Sequence, residues 1–106
     1  MATRKSSTYD RDREYRLLRT YGITIAQYEE IKAVQGGVCP LCLRAKGISA
    51  PLQVDHDHNL EVDGRAVPSS VRGLLDGRCN NRLGWLEAKF DRVMDYLQNP
   101  PARKVL

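Results

Sequence analysis

The chain has 106 residues, with 17 Lys and Arg against 13 Asp and Glu, a formal net charge of +4 and a pI near 9.1. This length suits one small domain with a modest core, and the basic balance is typical of proteins with polyanionic partners such as nucleic acids. No apolar run approaches the ~20 residues that cross a membrane, and the N-terminus lacks the apolar core of a secretion signal. We therefore expect no membrane partner and a cytoplasmic location. The three cysteines are an odd number for a disulfide framework, and they favour a metal site.

The first third of the chain predicts two helices. Residues 1–8 lack apolar periodicity and predict a disordered basic tail. Apolar side chains then recur at spacings of three and four, which predicts a helix from Tyr9 to Tyr21. The stretch "TIAQ" predicts a capping box, in which Thr24 begins a second helix that runs to Val34. These helices are typical of a small core.

The rest of the chain predicts a hairpin followed by a long helix. "LQVDH" and "VRGLL" alternate like strands, and residues 59–70 between them contain the Gly, Pro and Ser of a long loop. One helix is then predicted from Arg78 to Pro100, with a basic tail at 100–106. Its apolar stripe consists of Leu83, Leu86, Phe90, Val93, Met94 and Leu97. The chain is therefore predicted to be an α+β protein with a single domain at residues 9–99 and flanking helices.

The cysteines have the spacing of a zinc knuckle. Cys39 and Cys42 bracket a two-residue turn, which is how two thiolates can hold one side of a tetrahedral zinc ion. Cys79 offers a third thiolate, and Asp76, three residues earlier, offers a carboxylate where a second Cys-x2-Cys would place a cysteine. The fourth ligand is then Asp76 or a water. Three unliganded thiols or a redox pair are the alternatives, although the βαβ pattern of redox proteins is absent.

The stretch "DHDH" contains both histidines of the chain. Alternate residues of a strand share a face, so the strand must become irregular here if Asp55 is to meet a metal beside His56. The oxygens of Asp55 and of Asn80, which follows Cys79, suit Mg²⁺, and a neutral imidazole can take a proton from water. A basic surface completes the components of a one-metal nuclease. A polar loop without a site is the alternative.

Several motifs occur together in a familiar order. The stretches "YGITIAQYEEI", "GGVCPLC", "VDHDH", "VRGLL" and "CNNRLG" resemble the recombination endonuclease VII family of phage and bacterial nucleases, over about residues 14–99. That family belongs to the HNH, or ββα-metal (His-Me finger), nucleases. The resemblance implies a zinc-stabilised core, a ββα-metal active site, and a homodimer that cleaves branched DNA such as four-way junctions, in the cytoplasm of a bacterial or phage-infected cell.

The resemblance also implies roles for individual residues. Asp55 and Asn80 would hold the catalytic Mg²⁺ or Mn²⁺, His56 would be the general base, and His58 would assist at the phosphate or the metal. The structural zinc would be held by Cys39, Cys42 and Cys79.

The chain departs from the family pattern in two places. The family has a cysteine where this chain has Asp76, which bears on the zinc site more than on catalysis. The connection at 59–70 is several residues longer than the usual "HDH-x-TG-x-VRGLL", which indicates a change in DNA contact. Two other functions share these residues: a nicking or restriction-like endonuclease on duplex DNA, and a non-catalytic zinc-knuckle DNA-binding module. The intact set of Asp55, His56, His58 and Asn80 argues against the second of these.

Overall fold

A computed structural model describes residues 3–106, with side chains from residue 11 onward. Two helices precede a two-stranded antiparallel sheet, and two more helices follow it. The elements are α1 (Thr3–Tyr21), α2 (Ile25–Val34), β1 (Gln53–His56), β2 (Val71–Leu75), α3 (Gly77–Ala88) and α4 (Phe90–Gln98). Short 3-10 helices lie at His58–Leu60, Pro68–Ser70 and Pro101–Lys104. The architecture is α+β, and no helix within residues 3–106 is both long and apolar enough to cross a bilayer.

Helix α1 begins earlier than its apolar pattern predicts. It starts at Thr3 rather than at Tyr9, so helical backbone enters the segment predicted to be a disordered tail. The segment contains no Gly or Pro that would stop a helix, and charged residues can continue one without an apolar face. Met1 and Ala2 of the predicted tail lie outside the described residues. The division into a domain at 9–99 and tails on either side stays a prediction.

The predicted capping box at the start of α2 is confirmed. The Gln27 amide N–H donates to Thr24 Oγ1 at 3.1 Å, and the Thr24 N–H donates to Gln27 Oε1 at 2.8 Å. One turn later, the Tyr28 hydroxyl donates to the Leu52 carbonyl at 2.6 Å. The cap therefore fixes the start of a helix whose tyrosine ties it to the chain entering β1.

The hairpin has an irregular register at the point that matters for the site. Asp55 pairs with Gly73, but His56 pairs with Val71, so β2 has one extra residue there, Arg72. Such a bulge bends the strand and redirects the side chains beside it. The predicted break in strand regularity next to Asp55 is therefore present.

A side chain from the end of α2 completes the free edge of β2. Gln35 Oε1 accepts from the Leu74 N–H at 2.7 Å, and Gln35 Nε2 donates to the Leu74 carbonyl at 3.0 Å. The amide comes so close that a Cβ atom on Gly73 would lie 3.0 Å from Gln35 Oε1. The glycine of "VRGLL" therefore leaves room for the Gln35 amide, which pairs with the Leu74 backbone as a neighbouring strand would.

The core is small and lies between the hairpin, the first two helices and the start of α3. Its buried members include two of the three cysteines, which ties the core to the predicted zinc site. They are Leu17, Ile23, Tyr28, Cys39, Leu52, Val54, Leu74, Leu75 and Cys79.

The prediction of one continuous C-terminal helix is wrong. Lys89, with φ −122° and ψ 18°, leaves the helical conformation and separates α3 from α4. Leu83 packs against the core, but Phe90 is 53% exposed and Leu97 is 61% exposed. Periodicity identifies an apolar face but not the surface that covers it, so the predicted single stripe divides into a covered part and an uncovered part.

Candidate metal centre and active site

The structure brings the three cysteines and Asp76 together. One ligand atom from each of Cys39, Cys42, Asp76 and Cys79 lies within 4.8 Å of the others. Cys39 and Cys79 are buried, and the other two are half-buried. Three sulfur atoms and one carboxylate oxygen around a point in a small core are a donor set that fits a structural zinc ion.

Backbone hydrogen bonds shape the turn that holds the first two thiols. The Leu43 N–H donates to the Cys39 carbonyl at 2.9 Å, and the Cys39 N–H donates to the Ala45 carbonyl at 2.8 Å. The Ala45 N–H points at Cys42 Sγ, 3.5 Å away, and lowers the pKa of that thiol. A lowered thiol pKa favours the thiolate, which is the form that binds metals.

Asp76 begins helix α3 as well as facing the thiols. Its Oδ1 accepts from the Cys79 N–H at 3.2 Å, which makes it the N-cap. A hydrogen bond from the Cys79 thiol lowers the pKa of Asp76, and the same contact raises the pKa of Cys79. Asp is a favoured N-cap residue, so this position has a structural use for a carboxylate whether or not the carboxylate also binds a metal.

Three of the four residues predicted for catalysis line one hollow beside the bulge, and His56, the fourth, is not among its lining residues. Asp55, His58 and Asn80 line it together. Asp55 comes from the end of β1, His58 from the turn after it, and Asn80 from the first turn of α3. The structure therefore brings residues that are 25 positions apart in the chain (55 and 80) to the same place.

Arg72 and Glu87, which the sequence pattern did not identify, also line this hollow, and Arg72 holds Asp55. Arg72 donates from Nε to Asp55 Oδ2 at 2.8 Å and from Nη2 to Asp55 Oδ1 at 2.9 Å. Its Nη1 also donates to Glu87 Oε2 at 2.7 Å, which lowers the pKa of Glu87. The Asp55 side chain is only 11% exposed, so the guanidinium supplies the positive charge that a buried carboxylate needs. The sequence shows the arginine of "VRGLL", but its pairing with Asp55 depends on the bulge.

Asn80 is oriented by the hairpin. Its Nδ2 donates to Gln53 Oε1 at 3.0 Å, and its backbone N–H donates to the Asp76 carbonyl at 2.9 Å. The asparagine therefore reaches back from α3 to the strand, through its amide nitrogen. A carboxylate and an amide on one hollow fit the oxygen ligands that Mg²⁺ prefers.

The two histidines converge on a residue that the sequence analysis did not single out. His56 Nε2 lies 2.7 Å from Glu61 Oε2, and His58 Nδ1 lies 2.9 Å from the same oxygen. The ring centroids are 4.4 Å apart, and Tyr21 packs edge-on against His56 at 6.0 Å. These three donors also lie within 4.8 Å of one another, and two imidazoles with a carboxylate are a set that transition metals use.

Asp57, between the histidines, forms hydrogen bonds with backbone groups. Its Oδ1 accepts from the Asn59 N–H at 2.9 Å, and its own N–H donates to the Ser70 carbonyl at 2.8 Å. The strand ends at His56, and the 3-10 helix that Asp57 caps carries His58. This turn lets the two rings meet around one carboxylate.

Comparisons with known proteins identify the family of the chain. The sequence profile of recombination endonuclease VII matches residues 14–99. The Gene 59 protein of Mycobacterium phage L5 is 44% identical over 97 residues, which cover 88% of this chain and 54% of the relative. The Gene 59 protein of Mycobacterium phage D29 is 41% identical over 109 residues, which cover 99% of this chain and 59% of the relative. The chain thus spans somewhat more than half the length of these relatives, and no solved structure matches it. On the strength of the profile, which matches most of the chain, the chain belongs to the recombination endonuclease VII family.

Proposed function

We propose that this protein is a metal-dependent DNA endonuclease that hydrolyses phosphodiester bonds in branched DNA such as four-way junctions. The observation that carries the proposal is the hollow lined by Asp55, His58 and Asn80, next to His56, in a chain of the endonuclease VII family. Strand β1, the turn after it and helix α3 supply the four residues, and the order of two strands followed by a helix is that of a ββα-metal core. Family membership supports DNA as the substrate, and the exposed position of the hollow suits a polymer.

His56 is the general base in this proposal. Its ring packs against His58, which lines the hollow, and in the proposal it takes a proton from a water beside the scissile phosphate. The water oxygen forms a bond to phosphorus, its proton goes to the imidazole, and the ester P–O bond breaks. The leaving oxygen takes a proton from solvent. His58, with its side chain 77% exposed, is placed to contact the phosphate.

Asp55 and Asn80 would hold the catalytic Mg²⁺ or Mn²⁺, and Cys39, Cys42 and Cys79 with Asp76 would hold zinc. When bound, the catalytic cation would neutralise charge that develops on the phosphate. Each Asp55 oxygen accepts one hydrogen bond from Arg72, which leaves a second lone pair on each oxygen for a cation. Arg72 is also bonded to Glu87, which holds its positive charge at the site.

A basic surface leads to the site from α1. A second hollow shares Asn80 and is lined by Arg13 and Arg16. The Arg13 guanidinium stacks 4.3 Å from the centre of the Tyr28 ring, which fixes its direction. Arginines at this edge can bind the phosphates on either side of the cleaved bond, because such contacts position DNA without reading its sequence.

An exposed apolar face on the last two helices supports a homodimer. Phe90, Met94 and Leu97 recur at helical spacing on α4, and they are 53%, 37% and 61% exposed in the single chain. Trp85 on α3 is 57% exposed. A contiguous apolar face on a small basic protein marks an interaction surface, and two copies would place two active sites on one junction.

The test of function is cleavage of a synthetic four-way junction beside a linear duplex of the same sequence, with Mg²⁺ and with EDTA. Cleavage of the junction alone, abolished by EDTA, is the expected result. Equal cleavage of both substrates would favour the nicking endonuclease on duplex DNA. Binding of both substrates without cleavage in any divalent metal would favour the non-catalytic module and overturn the proposal.

Light scattering on the pure protein tests the dimer. A particle of twice the 12.0 kDa chain mass is expected, and Leu97→Glu is expected to reduce it to one chain mass. Ala102→Glu, at an exposed position in the C-terminal 3-10 helix, is the control that should leave the dimer intact. A wild-type monomer, with and without DNA, would contradict the dimer.

A further inference from the structure

Glu61 occupies an unusual position between the two histidines. A single oxygen, Oε2, lies within hydrogen-bond distance of a ring nitrogen of each, at 2.7 Å from His56 Nε2 and 2.9 Å from His58 Nδ1. The Glu61 side chain is 22% exposed and that of His56 is 19% exposed, so this contact is partly shielded from water. The hydrogen bond from His56 also lowers the pKa of the Glu61 carboxyl.

Backbone structure on both sides holds Glu61 in place. On the N-terminal side, its N–H follows the 3-10 helix and donates to the His58 carbonyl at 3.3 Å. On the C-terminal side, Val62 and Arg65 exchange two backbone hydrogen bonds, of 2.9 and 3.0 Å, around the tight turn at Asp63 and Gly64. Backbone hydrogen bonds on both sides of Glu61 therefore fix the position of its carboxylate, so the contact with the histidines is not a chance approach of a free side chain.

We propose that Glu61 is a positioning residue that sets the complementary tautomers of His56 and His58. An ionised carboxylate oxygen can only accept hydrogen bonds, so both ring nitrogens that face it must donate. In their neutral forms, His56 then carries its proton on Nε2 and His58 carries its proton on Nδ1. The lone pairs are left on His56 Nδ1 and on His58 Nε2.

This inference rests on the proposed function, because it assigns the atom through which the base acts. A carboxylate behind an imidazole keeps the ring in one tautomer and orientation and stabilises the imidazolium that forms when the ring takes a proton. Here one carboxylate does so for two rings. Glu61 thus makes Nδ1 the accepting atom of His56.

Glu61 also gives the long connection between the strands a use. Residues 59–70 form the segment that is longer than the family's usual pattern, and Glu61 stands within it. The tight turn after Glu61 and the 3-10 helix before it lie in or next to the same segment. The connection at residues 59–70 therefore holds the two histidines through Glu61, in addition to any contact that it makes with DNA.

The tautomers can be read directly by ¹⁵N NMR of the imidazole rings, at a pH where both rings are neutral. In the wild-type protein we expect the Nε2–H form for His56 and the Nδ1–H form for His58. The Nδ1–H form of His58 is the more diagnostic result, because free neutral histidine favours the Nε2–H form. Glu61→Ala should return His58 to the Nε2–H form, whereas Glu30→Gln, an exposed acid on α2, should change neither ring.

Single-turnover cleavage of junction DNA tests the consequence. Glu61→Ala should slow the chemical step by about 10- to 100-fold, which is typical for loss of a partner that orients a working histidine. Glu61→Gln should lose less, because its amide oxygen can still accept from one ring. The dissociation constant for DNA should stay within about twofold of wild type in both variants, because phosphate binding depends on Arg and Lys.

The outcomes separate this inference from the function on which it rests. Unchanged tautomers in folded Glu61→Ala, or an unchanged single-turnover rate, would overturn the role of Glu61 and leave the nuclease standing. A wild-type protein that does not cleave would overturn the proposed function, and the NMR comparison would still decide whether Glu61 sets the two tautomers.

Discussion

The cysteine cluster and the Asp55 hollow both use the start of α3, the first with the turn after α2 and the second with the hairpin, yet their side chains are held differently. In the cysteine cluster, backbone N–H groups of Ala45 and Cys79 point at the donor groups, which otherwise face one another. In the hollow and beside it, side chains of other residues already hold the donors. Asp55 is bound by Arg72, Asn80 by Gln53, and the two histidines by Glu61.

In the proposed function, this difference separates a structural zinc site from a catalytic site. A site held by backbone has one arrangement, which suits a metal that stays in place and adds to folding stability. A site held by side-chain partners can exchange them, which suits a cation and a substrate that bind and leave. We therefore expect changes in the cysteine cluster to act on stability first, and changes around the hollow to act on activity first.

The largest expected effect is on catalysis. His56→Ala should lower the single-turnover rate of junction cleavage by about 10²- to 10⁴-fold, because it removes the proposed general base. Its melting temperature should stay close to that of the wild type, and DNA should bind with the same dependence on salt. Asp91→Asn, on the exposed start of α4, is a control that should cleave normally. Cleavage by His56→Ala at the wild-type rate would mean that the base is another group.

Removal of the metal should affect stability in the other region. Protein prepared without chelator should contain one zinc per chain by elemental analysis, and Cys39→Ser should contain much less. We expect the variant to melt about 10 °C lower, the shift that a loss of ~2 kcal/mol produces in a domain near this size. Zinc uptake should weaken as the pH falls, because the thiols must lose protons to bind it. A folded, active wild-type protein with almost no zinc would remove the structural role of the metal.

Arg72 links the hollow to stability, and its effect should depend on the catalytic cation. Arg72→Ala leaves the Asp55 carboxylate, with its side chain 11% exposed, without its partner, and should cost ~1–3 kcal/mol of unfolding free energy without Mg²⁺. Mg²⁺ should recover part of this loss, because it would supply the missing positive charge and would bind only the folded protein. Arg92→Ala, at an exposed position on α4, should show neither effect. A loss in Arg72→Ala that Mg²⁺ leaves unchanged would argue against Asp55 as a ligand.

The smallest effects should distinguish the two uses of Asp76. Asp76→Ala removes the N-cap of α3 and should cost about 1 kcal/mol even without zinc. Asp76→Asn keeps a good cap, so any loss of resistance to chelator in this variant reports on the carboxylate as a zinc ligand. Asp76→Cys restores four thiols and should raise that resistance. Equal resistance in Asp76→Asn and the wild type would assign the fourth position to water.

Local chemistry explains what could be predicted before the fold was known. The capping box at Thr24, the two strands and the knuckle turn at Cys39 depend on neighbours within a few residues, so the sequence predicts them correctly. The order of the motifs also predicts the family correctly. The grouping of Cys79 with the first two cysteines, and of Asn80 with Asp55, follows from the hairpin and the helix after it once their order is known.

The sequence by itself therefore determined the local elements and the family, because local spacing and the order of the motifs encode them. Only the tertiary structure decided which partner each donor has. The bulge at Arg72 aims that side chain at Asp55, and the turns around Glu61 bring one oxygen to two rings. The break at Lys89 likewise exposes part of an apolar stripe that periodicity alone would treat as core. The bulge and the break are irregularities of one residue, and the turns around Glu61 are short, so none of them leaves a repeating pattern in the sequence.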